Sequence, residues 1–266
     1  MPKRIVVLLL LCFILPITVL VVDGVVGSNG YRVDLDAVLQ GASEQHLLGC
    51  DALGRDLLAR LAEGLRLSVS VGLIVVLLGG LVGIVLGMIS GWYGGWLDTL
   101  LMRVADVVLS FPGILLAIAL AAMLGSGIEN LVLALVVVGW VGFARLSRVQ
   151  VLSLKQAPFI EAARVNGVSL PYMMWFHLLP NIAAPLLVEA SFGLAAVMIG
   201  EAGLSFLGVG VQPPHASLGT MIREGASLML VQPSLVVWPG LMLFLVVMAV
   251  NLLGDALRDH LDVKQA

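Results

Sequence analysis

The chain is poor in charge. Only 12% of its 266 residues are Asp, Glu, Lys or Arg, against a hydrophobic share of 60% and a mean hydropathy of +1.09. A soluble domain ordinarily carries about twice that charged fraction, so the composition excludes a solvated globular fold and points to a membrane protein. The formal net charge is only -3 and the basic residues are dispersed, which excludes a polyanion-binding surface and with it nucleic acid. Cysteine is scarce too: Cys12 lies in an apolar run and Cys50 in the polar segment after it. A disulfide would have to join two depths of a bilayer, and none is expected. His46, His177, His215 and His260 show no metal-ligand spacing, so no built-in metal is expected. The G-x-x-x-x-G-K-[ST] loop that cradles nucleotide phosphates is absent, and ATP would have to be bound by another polypeptide. Without H-E-x-x-H or G-x-S-x-G, and with no intramembrane histidine near Ser110 or Ser191 in sequence, an intramembrane hydrolase is a poor reading. A stand-alone channel lacks a filter motif.

Long apolar runs are what the chain does have. A helix needs roughly 20 apolar residues to cross the hydrocarbon core, because lipid offers no partner to backbone N–H and C=O groups. Six runs qualify: residues 5–22, 68–92, 104–124, 128–143, 182–204 and 235–253. The first follows Lys3 and Arg4 as a signal peptide would. No small-x-small cleavage pattern closes it, however, and Pro16 interrupts it, so a retained span is expected. Lys and Arg collect on the cytoplasmic side. With the N-terminus inside, Lys3, Arg4, Arg103, Arg145, Arg148, Lys155, Arg164, Arg258 and Lys264 are cytoplasmic, while Arg32, Arg55, Arg60, Arg66 and Arg223 lie outside. The expectation is an all-α membrane protein of six transmembrane helices with both termini in the cytoplasm. Residues 1–67 would hold the first span and an outer loop, 68–254 a core of five spans with a cytoplasmic loop at 153–181, and 255–266 a cytoplasmic tail. In the outer loop Leu57, Leu58, Leu61 and Leu65 recur at helical spacing beside Arg60, Glu63 and Arg66. That pattern suits an amphipathic helix at the outer interface and, equally, an ordinary packed helix.

Residues 161–180, EAARVNGVSLPYMMWFHLLP, interrupt the apolar pattern on the expected cytoplasmic side. They read as two short helices and a turn. Gly167 stops the first because glycine takes positive φ without steric cost. Ser169 caps the second, Pro171 is tolerated in its first turn, and Pro180 marks its end. Phe159, Ala162 and Ala163 give the first helix a small apolar surface, and Met173, Met174, Trp175 and Phe176 make the second strongly apolar. A hairpin of this kind suits insertion into another protein's groove. Elsewhere, Gly79, Gly83, Gly87 and Gly91 form a stripe on which another helix can approach closely. Glu189 and Glu201, in the fifth run, are intramembrane acids that either fix helix positions as buried polar groups or line a pathway, and Glu201 could meet Arg223. Asp106 is spaced to pair with Arg103. Asp255, Arg258, Asp259 and Asp262 share one helical face.

Glu161-Ala162-Ala163, then Gly167, then Leu179-Pro180 resembles the EAA loop of inner-membrane permeases in ABC importers. HLLGCDALGRDLLAR (46–60), GWYGGWLDTLLMRVADVVLSFP (91–112), GEAGLSFLGVGVQPP (200–214) and NLLGDALRDHLD (251–262) are similar to signatures of the C-type permeases for dipeptides, oligopeptides and nickel. His177 departs from the broader EAA pattern but suits the peptide and nickel subgroup. The resemblance implies a MetI-like, type I importer core in the bacterial inner membrane, without catalysis of its own. It implies Glu161, Ala162, Ala163, Gly167, Leu179 and Pro180 as the ATPase-coupling residues. It implies as partners a sister permease subunit in a heterodimer, two cytoplasmic ABC ATPase subunits holding ATP and magnesium, and an extracytoplasmic solute-binding protein docking on outer loops such as 207–233, besides membrane lipid. The implied cargo is a dipeptide or oligopeptide, with nickel as the alternative; glutathione-like peptides and haem also fall within the resembled family.

Overall fold

The computed structural model describes residues 30–262, together with the separate positions 17, 18, 21 and 24. All but a few positions of the first expected span, and Cys12, lie outside the described residues. Among the described residues there is no β-strand, only an isolated bridge between Cys50 and Asp56. Eight helices follow: α1 (Leu57–Tyr93), α2 (Gly95–Leu109), α3 (Gly113–Leu124), α4 (Ile128–Leu154), α5 (Pro158–Val165), α6 (Leu170–Phe206), α7 (Leu218–Ala226) and α8 (Ser234–Asp262). Helices α1, α4, α6 and α8 are each long and apolar enough to cross a membrane, and α2 with α3 make a fifth candidate.

Helix α1 begins where the Asp56 carboxylate accepts a hydrogen bond from the Ala59 N–H, and it runs unbroken for 37 residues. Its first turns are the leucine-rich stretch that suited an interfacial or a packed helix equally, and the packed reading holds: Leu57, Leu58, Leu61 and Leu65 are buried, and Arg60 is only 3% exposed. Gly64 is carried inside this stretch, and no proline separates the stretch from the apolar run behind it, so helix propagates through the junction.

The third expected span, 104–124, is not one straight helix. Helices α2 and α3 meet at 87°. Pro112 supplies no N–H and pushes Phe111 away from helical backbone angles, so the intrahelical ladder stops at Ser110. Helix α4, by contrast, extends eleven residues beyond the expected 128–143, carrying Arg145 and Arg148 out on its last turns.

The expected helix end at Pro180 is also overturned. Helix α6 passes through it, because Met173–Leu178 adopt π-helical turns in which the Leu179 N–H reaches back five residues to the Met174 carbonyl. The wider turn sits just before the residue that has no N–H to give and whose ring would crowd a normal turn.

The core is set by α1 against α4. A Cβ added at Gly83 would lie 2.3 Å from the Trp140 carbonyl oxygen, at Gly87 2.0 Å from Ser147 Oγ, and at Gly91 2.8 Å from the Arg148 carbonyl oxygen. Gly79 is looser, 3.4 Å from the Trp140 N. The stripe thus lets two backbones touch with no side chain between them. Gly87→Ala is expected to destabilise the purified protein by about 1–3 kcal/mol through overpacking, whereas Gly80→Ala, whose nearest neighbour is 3.6 Å away, leaves the thermal melt in detergent unchanged.

Candidate functional site

Helix α5 opens with Pro158 in its first turn, where a missing N–H breaks nothing. It closes in a Schellman motif: the Gly167 N–H donates to the Arg164 carbonyl (3.0 Å) and the Val168 N–H to the Ala163 carbonyl (3.1 Å), with Gly167 at φ +74. The chain then turns directly into α6. Ile160 and Ala163 point inward, clustered with Met88, Val151, Met173, Leu178 and Ile182. Phe159, Glu161, Ala162 and Val165 point outward, Val165 with 88% of its surface open. Ala163 therefore belongs to the hairpin's core rather than to its outer surface. On α6, Leu179 is partly buried and Pro180 exposed, while Tyr172, Trp175 and Phe176 stand open, Tyr172 and Phe176 with ring centroids 4.5 Å apart.

Two cations fasten the hairpin to the end of α1. The Arg164 guanidinium lies 4.4 Å from the centre of the Trp92 ring, and the Lys155 amino group donates to the Trp92 carbonyl. Nearby, Arg148 holds Asp98 in a two-bond fork, so α2 is tied to α4 beside the hairpin. Asp106 is paired with Arg145 across the same helices and not with Arg103, because α2 lies against α4 there and an interhelical partner is within reach. Trp92 and the Asp98–Arg148 pair were not legible from sequence as anchors beside the hairpin, since each depends on a contact far along the chain.

The two intramembrane acids have different surroundings. Glu201 is completely buried and accepts hydrogen bonds from Ser68 Oγ (2.7 Å) and Ser205 Oγ (2.8 Å). The expected Arg223 contact is not made; that guanidinium lies beside Gly208. Glu189 is half-buried, faces Gly142 of α4, and makes no hydrogen bond or ion pair among the described residues. No group of three or more His, Cys, Asp or Glu among the described residues could hold a metal ion.

Comparison with known proteins decides what these parts belong to. Residues 83–265 match the family described as "Binding-protein-dependent transport system inner membrane component". The chain belongs to this family of inner-membrane permeases. The glutathione transport system permease proteins GsiD of Escherichia coli O6:K15:H31 (strain 536 / UPEC) and Pectobacterium atrosepticum are each 44% identical to it over 231 residues. These matches cover 87% of the permease and 76% and 77% of the two relatives. GsiD of Shigella flexneri serotype 5b is 47% identical over the same length, again covering 87% of the permease and 76% of the relative. A chain of the methionine ABC transporter MetNI, solved in inward-facing conformations, shares the fold with a TM-score of 0.55 at 18% identity, over 74% of the permease and 95% of that chain. The permease is thus a multi-pass bacterial inner-membrane protein and a transport subunit rather than an enzyme.

At the opposite end of α1 from the hairpin, about 48 Å away along the helix axis, the permease carries a second polar cluster. Arg60 donates to Asp51 and to Glu224, both at 2.7 Å, and Arg55 reaches the same two acids at 2.7 and 3.2 Å. This cluster locks the loop before α1 onto α7, which is itself held by a capping box between Ser217 and Thr220. Tyr31 donates to Glu63 and meets His215 Nδ1 at 3.1 Å, which fastens the same loop a second time. Hydrogen bonding to Glu63, helped by burial, raises the Tyr31 phenol to about 12. Cys50 is a free, buried thiol pushed up to about 11 by burial and by Asp56, Asp51 and Asp34.

Burial pushes the Asp51 carboxyl upward, but hydrogen bonds from the Arg55 and Leu53 N–H groups and the charges of Arg60 and Arg55 outweigh it. The net position is below the ordinary carboxylate range. A depressed carboxyl stabilises fully above its unfolded value of about 3.9 and loses that contribution as pH falls through the folded value. Protease sensitivity of the loop 30–56 should therefore rise on acidification below about pH 4. Arg60→Ala should raise it already at neutral pH, by removing a buried partner worth on the order of 3 kcal/mol.

Proposed function

We propose that the permease forms one half of the translocation pathway of an ATP-driven, binding-protein-dependent importer of short peptides, glutathione among them. The peptide cargo is supported by the GsiD relatives, which are named for glutathione transport. The outward side of the hairpin carries the coupling proposal: an apolar patch of Phe159, Ala162 and Val165, with Glu161 at its edge, is held rigidly yet covered by nothing among the described residues. Its occupant is the cleft of a cytoplasmic ATPase subunit. Two such subunits hold ATP and magnesium, and a sister permease completes the pathway as a heterodimer. The solute-binding protein docks at the far end, on the surface made by loops 30–56 and 207–233.

In this scheme closure of the ATPase pair displaces the hairpin, and α6 moves with it because its own first turns are the hairpin's second arm and only the hydrogen-bonded turn 166–169 joins α5 to it. The ATPase biases the pathway only through contacts that differ between the two states, so a loose hairpin transmits nothing. Glu161 and Gly167 act here as an edge contact and a hinge-free elbow. Gly167 has open space where a Cβ would go, so a substitution there acts through its φ of +74 alone.

Val165→Asp should cut co-purification of the ATPase subunits about 10-fold or more while leaving the thermal melt unchanged. Gly167→Val should uncouple ATP hydrolysis from glutathione uptake in proteoliposomes, whereas Gly167→Asn, which tolerates positive φ, should retain coupling. Wild-type capture and uptake in Val165→Asp, Glu161→Lys and Gly167→Val together would overturn the coupling role.

A further inference from the structure

We propose that Glu189 is a cargo-contacting residue whose carboxylate receives the free ammonium group of a peptide in transit, an inference that rests on the peptide-import reading above. Glu189 lies seven residues into the apolar part of α6, roughly 10 Å along its axis, where an ionised carboxylate without a partner is costly. The chain's other acids near membrane depth are provided for. Glu201 has two serine hydroxyls, Asp98 has Arg148, and Asp106 has Arg145. Glu189 has none among the described residues: Arg258, a cation lining the same polar cavity, is not paired with it.

The surroundings leave room for a solute to bring the neutralising charge. Glu189 borders two cavities at once. One, of about 380 Å³, is apolar and lined by Val75, Leu135, Gly142, Phe143 and Gly193; the other, of about 430 Å³, is lined by Gln150, Asn181, Phe192 and Arg258. Each lies within the range of small-molecule sites, about 300–1,000 Å³. A carboxylate at the junction of an apolar and a polar chamber has room on both sides for a bound group to arrive and leave. Gly142 keeps that room: a Cβ there would sit 2.4 Å from Glu189 Oε1. Short peptides with a free N-terminus carry the compact cation such a carboxylate recognises, and the apolar chamber beside it accommodates their side chains.

The test uses the whole importer in proteoliposomes with its binding protein and ATP, in a background of Cys12→Ala and Cys50→Ala. With S-methylglutathione as the cargo, so that the cargo brings no free thiol, Glu189→Cys should lose uptake by about 10-fold or more, and Glu189→Asp should retain part of it. Modification of the introduced thiol with a sulfonate-bearing methanethiosulfonate should restore uptake, and a trimethylammonium-bearing reagent should not. Saturating S-methylglutathione, which has no thiol to consume the reagent, should slow the sulfonate reaction about 10-fold, while its N-acetylated form should leave it unchanged. Restoration by the sulfonate without protection by S-methylglutathione would overturn the proposal in favour of a protein cation, Arg258 of the same cavity or one from the sister subunit. Full uptake by Glu189→Gln would overturn it outright. A wild-type importer that transports no peptide would instead sink the function on which the inference rests, and the two failures are distinguishable.

Discussion

Helices α1 and α4 touch backbone to backbone, and the placement of the other functional parts follows from that contact. Lipid tails are as apolar as leucine, so burial of apolar surface does not drive helices together inside a bilayer; close van der Waals packing does. Gly83 and Gly87 give that packing its intimacy, bringing their backbone under Trp140, Ala144 and Ser147. Once α1 and α4 are in register, Trp92 at the end of one and Arg148 and Lys155 at the end of the other share one edge of the protein. There Lys155 meets the Trp92 carbonyl and Arg148 meets Asp98. The hairpin is seated on this edge through Arg164 and Trp92. A shift of one turn between the two helices would move these anchors by about 5.4 Å and unseat all of them.

In the proposed coupling, helix α6 answers a different demand, that of carrying displacement from the hairpin. It must start at the hairpin, admit Pro180 and Pro185, and still leave no buried backbone group unpaired in lipid. The π-helical turns at Met173–Leu178 meet this demand by widening the ladder ahead of the first proline. The hairpin's second arm, Glu189 and Glu201 consequently ride on one helix, with α5 joined to it by the tight turn 166–169. In the proposed coupling this makes the ATPase contact and the carboxylates parts of a single lever, and any bending is confined to the π turns or to the prolines.

What could be read from the sequence was what is decided locally. The elbow at Gly167 was legible because a positive-φ glycine after a short amphipathic stretch needs no tertiary partner to stop a helix, and the four-residue glycine repeat was legible because it places all its members on one face. The resemblance carried by residues 161–180 and the flanking signatures supplied the family. Three features resisted, each for a physical reason. Pro180 reads as a stop only if the preceding turns are α-helical, and the π turns are a cooperative choice of the whole rod. The 87° bend at Ser110–Pro112 interrupts a run whose hydropathy does not change. Arg60 reads as solvent-facing until Asp51 and Glu224 are brought to it from 9 and 164 residues away.

The two ends of the permease reach rigidity by different chemistry, and the difference follows from their surroundings. The cluster of Asp51, Arg55, Arg60 and Glu224 is largely shielded from water, so each ion would be costly alone and the group is held together by the penalty for separating it. Such a unit fixes the outer loop to α7 firmly but tolerates little rearrangement. The hairpin is fastened by a backbone cap, a cation on an aromatic face and a small apolar core, none of which traps an unpaired charge when it shifts. A surface that must receive a partner in one fixed pose is well served by the first kind of bonding. An element that must move against its neighbours by a few ångströms is served by the second, because its contacts weaken gradually over that distance instead of failing all at once.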